Sequence, residues 1–323
     1  MSSSKSRVLL VGAGGVGTLA AYALETGGKA EVTAVMRSNY EVVNRQGVNI
    51  DSIEYGKIVG FKPSHILKAV PNVVKEGLPP FDYILVTTKN VPDNGLNVEK
   101  PVIARYPKNI VISSVSTIGT TERSHGDILH DDTDEQKIGP FHNPEIPQHV
   151  AEAAARRYME IYNPNGKLEL TFEPNVLKTR WRKLVYNASF NTVATVLQMD
   201  TSRMRMSVFV VDELLKSIMR GIIAAANAAG CDLDPNLPDT VVYNDGLEDY
   251  FHPSMMREIE KGNYFEVEVI CGEPLREAAA LGVPTPTLKV IYSLLKALQL
   301  KTKGAKGAWK PHWADGNPYG EKR

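Results

Sequence analysis

Two patterns in the sequence predict an α/β N-terminal domain with a mostly parallel sheet, followed by an all-α C-terminal domain. In the first half, short apolar runs rich in β-branched residues alternate with segments of helical periodicity, which is typical of βαβ units. In the second half, the strand-like runs fade and amphipathic helical patterns remain. The change falls near Glu173-Pro174, so we expect domains at residues 1–174 and 175–323.

The predicted strands are continuous apolar runs, which indicates a sheet covered on both faces. They are residues 7–11, 32–36, 83–87 and 110–115. A helix is predicted over residues 17–27, between the first two strands, because helical periodicity ends there at a Gly-Gly pair. In the second half, amphipathic helices are predicted over residues 207–229 and 288–300. A disordered tail is expected from about residue 302, where lysines are mixed with Gly and Pro.

Composition and charge exclude several classes of protein. The 323 residues include 37 basic and 37 acidic side chains, so bulk charge does not favour a nucleic-acid partner. The two cysteines, Cys231 and Cys271, are too few for a disulfide framework. No run reaches the roughly 18 apolar residues of a membrane span, and the N-terminus lacks a secretory signal. We therefore expect a cytoplasmic protein without a membrane partner.

Gly12, Gly14 and Gly17 form a G-x-G-x-x-G pattern directly after the first predicted strand and at the start of a helix. In a Rossmann-type fold the first glycine permits the tight turn, the second lets a diphosphate approach, and the third lets helix and strand pack closely. The N–H groups at the helix start then face the phosphates. This context favours dinucleotide binding over a tight turn without a ligand.

The type of dinucleotide is indicated by Arg37-Ser38, at the end of the second predicted strand. An acidic residue about 20 positions after the glycines typically holds the ribose 2′-hydroxyl of NAD. Here the position is basic, and a guanidinium suits a 2′-phosphate. The sequence therefore predicts NADPH/NADP+ rather than NAD, with a solvated arginine at a strand end as the alternative.

A polar row crosses an otherwise uncharged helical segment. Residues 184–199 carry no charge, which indicates a helix buried on most sides. Lys183, Asn187 and Asn191 nevertheless recur at helical spacing and share one face. Buried polar groups need partners or a polar ligand, and burial lowers the pKa of a lysine toward the range useful for proton donation. The alternative is that this row is the narrow solvent-exposed face.

A second polar segment follows downstream. The stretch from Ser254 has helical character and stops at Gly262, and Glu266 is expected to open the next helix. Carboxylates are favoured in the first turn of a helix, so capping is the alternative role of Glu266 and Glu268. On a helix these two side chains point about 200° apart, so at most one of them can face a site shared with Lys183.

Together these segments resemble the ketopantoate reductase (2-dehydropantoate 2-reductase) family over nearly the whole chain. The resemblance rests on the glycine loop, Thr88-Lys89, Trp181-Arg182-Lys183-Leu184-x-x-Asn187-x-x-x-Asn191, Ser254-Met255, Glu266 and Gly282-Val283-Pro284-Thr285-Pro286-Thr287. It implies a Rossmann domain, a helical domain, and NADPH-dependent reduction of the 2-keto group of ketopantoate to pantoate in pantothenate and coenzyme A biosynthesis. The partner would be a small 2-keto acid, and a homodimer is the candidate assembly.

The resemblance also implies roles for individual residues. Lys183 looks like the general acid, and Glu266 like the group that orients the substrate hydroxyl and Lys183. Substrate contacts are expected from Asn187, Asn191 and Ser254. Cofactor contacts are expected from Gly12, Gly14, Gly15, Val16, Gly17, Arg37, Lys89 and Asn94.

The sequence departs from the family in two places. Asn94-Gly95 follows Lys89 almost at once, whereas a helix and a strand separate these positions in the family. We therefore expect the first domain to lack one helix–strand unit near residues 93–94, which keeps a non-catalytic NADP(H)-binding regulator as an alternative. Phe265 replaces a smaller polar residue, so a reductase of a different 2-keto acid is a further alternative.

No metal site is predicted. His125, His130 and three aspartates (131, 132 and 134) lie close in sequence, but their spacing matches no standard ligand pattern. We interpret this stretch as a turn-rich surface loop.

Overall fold

The computed structural model describes residues 5–88, 96–163 and 165–310. The chain forms two compact units. The N-terminal unit comprises the described residues up to 88 together with 99–179, and the C-terminal unit comprises 96–98 and 180–310. The boundary between residues 179 and 180 lies inside a helix that begins at Val176.

The central sheet of the N-terminal unit is parallel, as predicted. Its four strands have the order β5-β2-β1-β6. They are β1 (Ser6–Val11), β2 (Ala30–Val35), β5 (His65–Leu67) and β6 (Tyr83–Val86). This order is that of the first half of a doubly wound nucleotide-binding sheet, in which ligands bind at the carboxyl ends of the strands.

Helix α1 (Gly15–Thr26) connects β1 to β2 and starts two residues earlier than predicted. Its buried face includes Leu19, Ala20 and Leu24, which belong to the same hydrophobic core as Val8 of β1. The helix ends at the expected Gly-Gly pair, where Gly28 adopts φ 71°, a left-handed conformation that glycine tolerates best.

Seven further strands and three further helices of this unit are described beside the central sheet. Most of these strands lie in polar stretches without a continuous apolar run. Two sheets have the orders β4-β3-β9-β8 and β11-β10-β7. The strands are β3 (Val48–Ser52), β4 (Gly56–Phe61), β7 (Ile112–Thr117), β8 (Thr120–Ser124), β9 (Asp127–His130), β10 (Glu135–Pro140) and β11 (Glu169–Phe172). The helices are α2 (Tyr40–Gln46), α3 (Glu99–Arg105) and α4 (Gln148–Tyr162). Helix α4 packs against β10 and α1, which joins the sheets into one core.

Strand β6 differs from the expectation of a strand covered on both faces. Tyr83 and Leu85 pack against the core, but Ile84 and Val86 are 67% and 62% exposed. Within the described part of the chain, β6 is the last strand of its sheet, and β7 pairs with β10 in antiparallel fashion. The exposed side of β6 is therefore the side that a further helix–strand unit would cover.

The stretch between Glu122 and Gln136 is not the surface loop that we expected. It includes the end of β8 and the whole of β9, and His130 and Asp134 are only 1% and 2% exposed. The Nδ1 atom of His130 lies 2.7 Å from the Ser52 hydroxyl, and Tyr162 donates a 2.9 Å hydrogen bond to Asp134. His130 ends β9 and Asp134 directly precedes β10, and the partners Ser52 and Tyr162 lie far away in sequence.

The C-terminal unit is helical over its described residues, as predicted. Its α-helices are the continuation of α5 (Val176–Tyr186), α6 (Thr192–Leu197), α7 (Thr201–Arg205), α8 (Lys216–Ala228), α9 (Leu237–Val241), α10 (Ser254–Glu260), α11 (Glu273–Ala280) and α12 (Pro286–Ala305). Three π-helical segments are interleaved with them, at Asn187–Asn191, Val210–Leu215 and Glu268–Gly272. Trp181, Phe190 and Phe265 are its largest fully buried side chains.

Two details of the helical prediction need correction. The helix predicted over 207–229 starts with a π segment, and Val208 before it is 62% exposed instead of facing the core. Helix α12 continues to Ala305, into the expected disordered tail, because Gln299 and Thr302 still lie on its buried face. Residues 311–323 lie outside the described residues. Within the described residues, none of the helices combines the length and the hydropathy of a membrane span.

Candidate functional site

The glycine loop follows β1 and is shaped by close backbone contacts. Gly12 adopts φ +105°, and a Cβ atom there would lie 2.7 Å from the backbone nitrogen of Thr88. A Cβ atom on Gly17 would lie 2.1 Å from the carbonyl oxygen of Gly12. These glycines are therefore required by the fold itself, because either substitution would displace backbone.

Gly14 is different, because a Cβ atom there would meet no protein atom within 4 Å. Its φ of −83° is accessible to any residue. Gly14 is also the N-cap of α1, where no side chain caps the helix and the first turn contains no acid. The loop thus presents open space and uncapped N–H groups at the positive end of a helix, which fits the diphosphate of a dinucleotide.

Two side chains that the sequence analysis missed hold this loop in place. The buried amide of Asn39 donates a 2.7 Å hydrogen bond to the carbonyl of Ala13. The hydroxyl of Thr87 donates a 2.6 Å hydrogen bond to the carbonyl of Gly12. Both residues follow strands adjacent to β1. A polar residue just beyond the end of such a strand is the sequence feature that could have identified them.

The remaining predicted cofactor residues have different settings. Val16 is exposed on the first turn of α1, and Gly15 lies against Thr120. Arg37 is exposed just beyond β2, at the carboxyl edge of the sheet where the ribose of a dinucleotide is expected. Lys89 and Asn94 lie outside the described residues.

The polar row of the C-terminal unit lies on α5 and the π-helical segment after it. Lys183 and Asn187 are half-buried, and Asn191 is 5% exposed. The neighbouring residues Leu184 and Val185 face the core. Two side chains of the row are thus partly shielded from solvent, and the third is buried.

The π-helical turn at Asn187–Asn191 was not predicted from the sequence spacing. It is accompanied by hydroxyl groups that donate to carbonyls of the preceding turn, such as Ser189 to Val185 at 2.7 Å and Thr192 to Ala188 at 2.6 Å. Such hydroxyl contacts bend helices, and π-helical turns are frequent at functional sites. The wider turn changes the angular position of Asn191 relative to Lys183.

Lys183 is electrostatically coupled to its surroundings. Burial lowers the pKa of its ammonium group, Glu266 opposes that shift, and Arg180 adds to it. Glu266 is half-buried and immediately precedes the helical turn that starts at Val267. Lys183 and Glu266, which are distant in sequence, therefore act on each other in the folded C-terminal unit.

Glu268 belongs to a separate ionic cluster. Its carboxylate accepts hydrogen bonds from Arg276 at 3.0 Å, Tyr292 at 2.8 Å and Lys296 at 3.0 Å. Burial would raise the pKa of Glu268, but these hydrogen bonds lower it below its ordinary value. Of the two glutamates, Glu266 is thus the one that acts on Lys183, in agreement with the expectation that at most one of them faces it.

The last two residues of interest are Ser254 and Phe265. Ser254 is exposed at the start of α10, which packs against α6. Phe265 is buried in the core, and its backbone carbonyl accepts a 3.2 Å hydrogen bond from Gln299. Phe265 therefore anchors the backbone directly before Glu266. Among the described residues, no group of three His, Cys, Asp or Glu side chains could hold a metal ion.

The N-terminal unit has a glycine loop that fits a diphosphate on a parallel sheet, and the helical unit has a half-buried lysine. This combination is typical of one class of enzyme, the two-domain nicotinamide-dependent oxidoreductases. Profiles of "Ketopantoate reductase PanE/ApbA" and its C-terminal domain match residues 8–93 and 175–299. The chain belongs to the ketopantoate reductase family. It is an NADP-dependent oxidoreductase with the character of a 2-keto acid reductase.

Individual relatives agree with this assignment. The uncharacterized protein YDL144C of Saccharomyces cerevisiae is 32% identical over 354 aligned positions, covering 94% of this chain and 97% of the relative. The 2-dehydropantoate 2-reductase of Nostoc sp. is 24% identical and covers 91% of this chain and 96% of that protein. The crystal structure of 2-dehydropantoate 2-reductase from Methylococcus capsulatus has a TM-score of 0.74 and 26% identity, covering 92% and 97% of the two chains.

Proposed function

We propose that the protein catalyses the NADPH-dependent reduction of the keto group of ketopantoate to pantoate. The observation that carries the proposal is the coupling of half-buried Lys183 to Glu266, on a helix that also presents Asn187 and Asn191. An ammonium group in such a place stabilises negative charge that develops on a carbonyl oxygen. The family membership supports the same chemistry.

Lys183 acts as the general acid in this proposal. When bound, the reduced nicotinamide supplies a hydride to the keto carbon. Lys183 then gives a proton from Nζ to the carbonyl oxygen, which becomes the hydroxyl group of the product. Burial favours this transfer, because it lowers the pKa of Lys183 below that of an ordinary lysine.

Glu266 and the polar row position the substrate. The carboxylate of Glu266 keeps Lys183 protonated by opposing the effect of burial, and it can accept a hydrogen bond from a substrate hydroxyl. Asn187, Asn191 and Ser254 supply amide and hydroxyl groups for the remaining polar atoms of the substrate. Buried Phe265 acts indirectly, because it fixes the backbone next to Glu266.

The glycine loop holds the cofactor. The open space at Gly14 and the uncapped N–H groups of α1 accept the diphosphate, and Asn39 and Thr87 keep the loop in that shape. We assign Arg37 to the 2′-phosphate, and this assignment predicts a preference for NADPH over NADH. Lys89 and Asn94 remain proposed cofactor contacts on the basis of the family resemblance.

A homodimer is the proposed assembly. The support is a neighbour of the same fold, the dimeric ketopantoate reductase from Staphylococcus aureus, with a TM-score of 0.66 and 19% identity. Light scattering of the purified protein tests this point, with a mass near twice 35.5 kDa as the expected result.

The loss of one helix–strand unit near residues 93–94 also stays a prediction. It is supported by the exposed side of β6 and by the N-terminal profile match, which stops at residue 93. In addition, the alignment with the yeast relative spans 354 positions, more than the 323 residues of this chain, so that relative carries additional residues.

The proposed function is tested by following NADPH oxidation with ketopantoate and a panel of other 2-keto acids. The account predicts turnover of ketopantoate with the highest kcat/KM in the panel. Higher kcat/KM with another 2-keto acid would assign a different substrate of the same class. Absence of turnover with every 2-keto acid would contradict the proposed function.

A further inference from the structure

The C-terminal unit carries a second cation one helical turn before Lys183. Arg180 and Lys183 are three residues apart on α5, a spacing that places Cβ atoms about 5–6 Å apart on a helix surface. Arg180 is half-buried, like Lys183 and Asn187, whereas Arg182 is exposed. At about 100° per residue, Arg180, Lys183 and Asn187 fall within roughly 60° of one another around the helix.

The exposure of the neighbouring residues distinguishes the face of Arg180 and Lys183 from the other sides of the helix. Trp181 and Val185 are 1% and 0% exposed and mark the core side of the helix. Arg182 is exposed, and at about 100° per residue it points about 160° away from Arg180. Arg180 therefore shares the face that carries the proposed general acid, between the core side and Lys183.

The positive charge of Arg180 affects the pKa of Lys183. Arg180 lowers the pKa of the Lys183 ammonium group, in addition to the effect of burial, while Glu266 acts in the opposite direction. Arg180 and Glu266 thus act on the same ammonium group with opposite signs.

We propose that Arg180 is a substrate-binding residue whose guanidinium holds the carboxylate of the 2-keto acid, while Lys183 serves the keto oxygen. A guanidinium binds a carboxylate through two parallel hydrogen bonds, which fixes the orientation of the substrate. In a 2-keto acid the carboxylate and the keto oxygen lie on adjacent carbons, so neighbouring cations on one helix face match them. This inference rests on the proposed function and names the group that selects acids over neutral ketones.

The test compares Arg180→Gln and Arg180→Lys with Arg182→Gln, a matched control on the same helix. The substrates are the best 2-keto acid of the panel and its methyl ester, which keeps the keto group but lacks the negative charge. For Arg180→Gln we expect kcat/KM for the acid to fall about 10- to 100-fold, mainly through KM, with less than about a threefold change for the ester. Arg180→Lys should recover part of the loss, and Arg182→Gln should change neither substrate.

An equal loss for acid and ester, or no loss for either, would overturn the assignment. A second readout does not depend on turnover, because an NMR titration of the Lys183 side chain reports its pKa directly. Removal of the neighbouring positive charge in Arg180→Gln should raise that pKa, and an unchanged pKa would also overturn the inference. If the wild-type protein reduces no 2-keto acid, the proposed function fails, and the titration alone decides whether Arg180 acts on Lys183.

Discussion

Glu266 raises the pKa of Lys183 against the burial that lowers it, although 82 residues of sequence lie between the two side chains. The helical core of the C-terminal unit creates this relationship, because Phe265 anchors one partner and α5 carries the other. A lysine whose pKa is lowered by burial, and partly restored by a nearby carboxylate, is suited to exchange a proton with a bound substrate.

The pH dependence of reduction should follow from this coupling. Proton donation requires the protonated form of Lys183, so activity should fall as the pH rises through its lowered pKa. Glu266→Gln removes the charge that raises this pKa, so the alkaline limb of the kcat profile should move to lower pH. Glu260→Gln, an exposed position at the end of α10, is the control. A limb that moves to higher pH in Glu266→Gln would contradict the proposed coupling.

Substitution of the glycines should separate cofactor binding from folding. Gly14→Ala places a methyl group in open space, so the thermal midpoint should stay close to that of the wild type. The same methyl group obstructs the diphosphate, and overpacking of about 1–3 kcal/mol corresponds to a rise in the Kd of NADPH of about 10- to 100-fold. Calorimetric titration and thermal melts measure both quantities. Unchanged NADPH affinity would show that the diphosphate does not approach Gly14.

Gly17→Ala is the matched contrast. Its Cβ atom would lie 2.1 Å from the carbonyl oxygen of Gly12, so backbone must shift. We expect a loss of about 3 kcal/mol or more in the free energy of unfolding, measured by urea denaturation. A Gly17→Ala protein as stable as the wild type would argue against the described loop geometry.

Arg37 should determine the preference between the two nicotinamide cofactors. A charge-assisted hydrogen bond to a phosphate contributes about 1.5–3 kcal/mol, so Arg37→Gln should raise the Kd of NADPH about 10- to 100-fold. The Kd of NADH should change little, because NADH lacks the 2′-phosphate. Arg45→Gln, exposed on α2, serves as the control. Equal weakening of both cofactors would place Arg37 away from the 2′-phosphate.

The two sides of β6 should respond differently to substitution. Ile84→Thr and Val86→Thr alter exposed side chains and should each change the free energy of unfolding by no more than about 0.5 kcal/mol. Leu85→Ala removes core packing and should cost about 2 kcal/mol or more. Urea denaturation of the three variants provides the comparison. A cost at Ile84 equal to that at Leu85 would show that the outer side of β6 is covered.

The parallel sheet and the glycine loop were predictable from the sequence because both depend on local patterns. Continuous apolar runs mark β1 and β2, and three glycines at fixed spacing mark the turn between β1 and α1. The strands β8 and β9 were missed, because this stretch is polar and a residue such as His130 is buried there beside Ser52, a partner distant in sequence.

The candidate site was predictable only in part. Helical spacing identified Lys183 and Asn187 as neighbours on one face, and the structure keeps them half-buried. Spacing alone did not indicate the π-helical turn at Asn187–Asn191, because the hydroxyl contacts that accompany it depend on the folded backbone. The influence of Arg180 on Lys183 also emerged only from the folded chain.

The most direct test of the account is the turnover of Lys183→Ala with the preferred 2-keto acid, next to Arg182→Ala from the solvent side of the same helix. Loss of the general acid should lower kcat by about 10²–10⁴-fold, while NADPH affinity and the thermal midpoint remain near the wild-type values. Arg182→Ala should retain full turnover. Unchanged kcat in Lys183→Ala on every accepted substrate would contradict the central claim that this ammonium group supplies the proton.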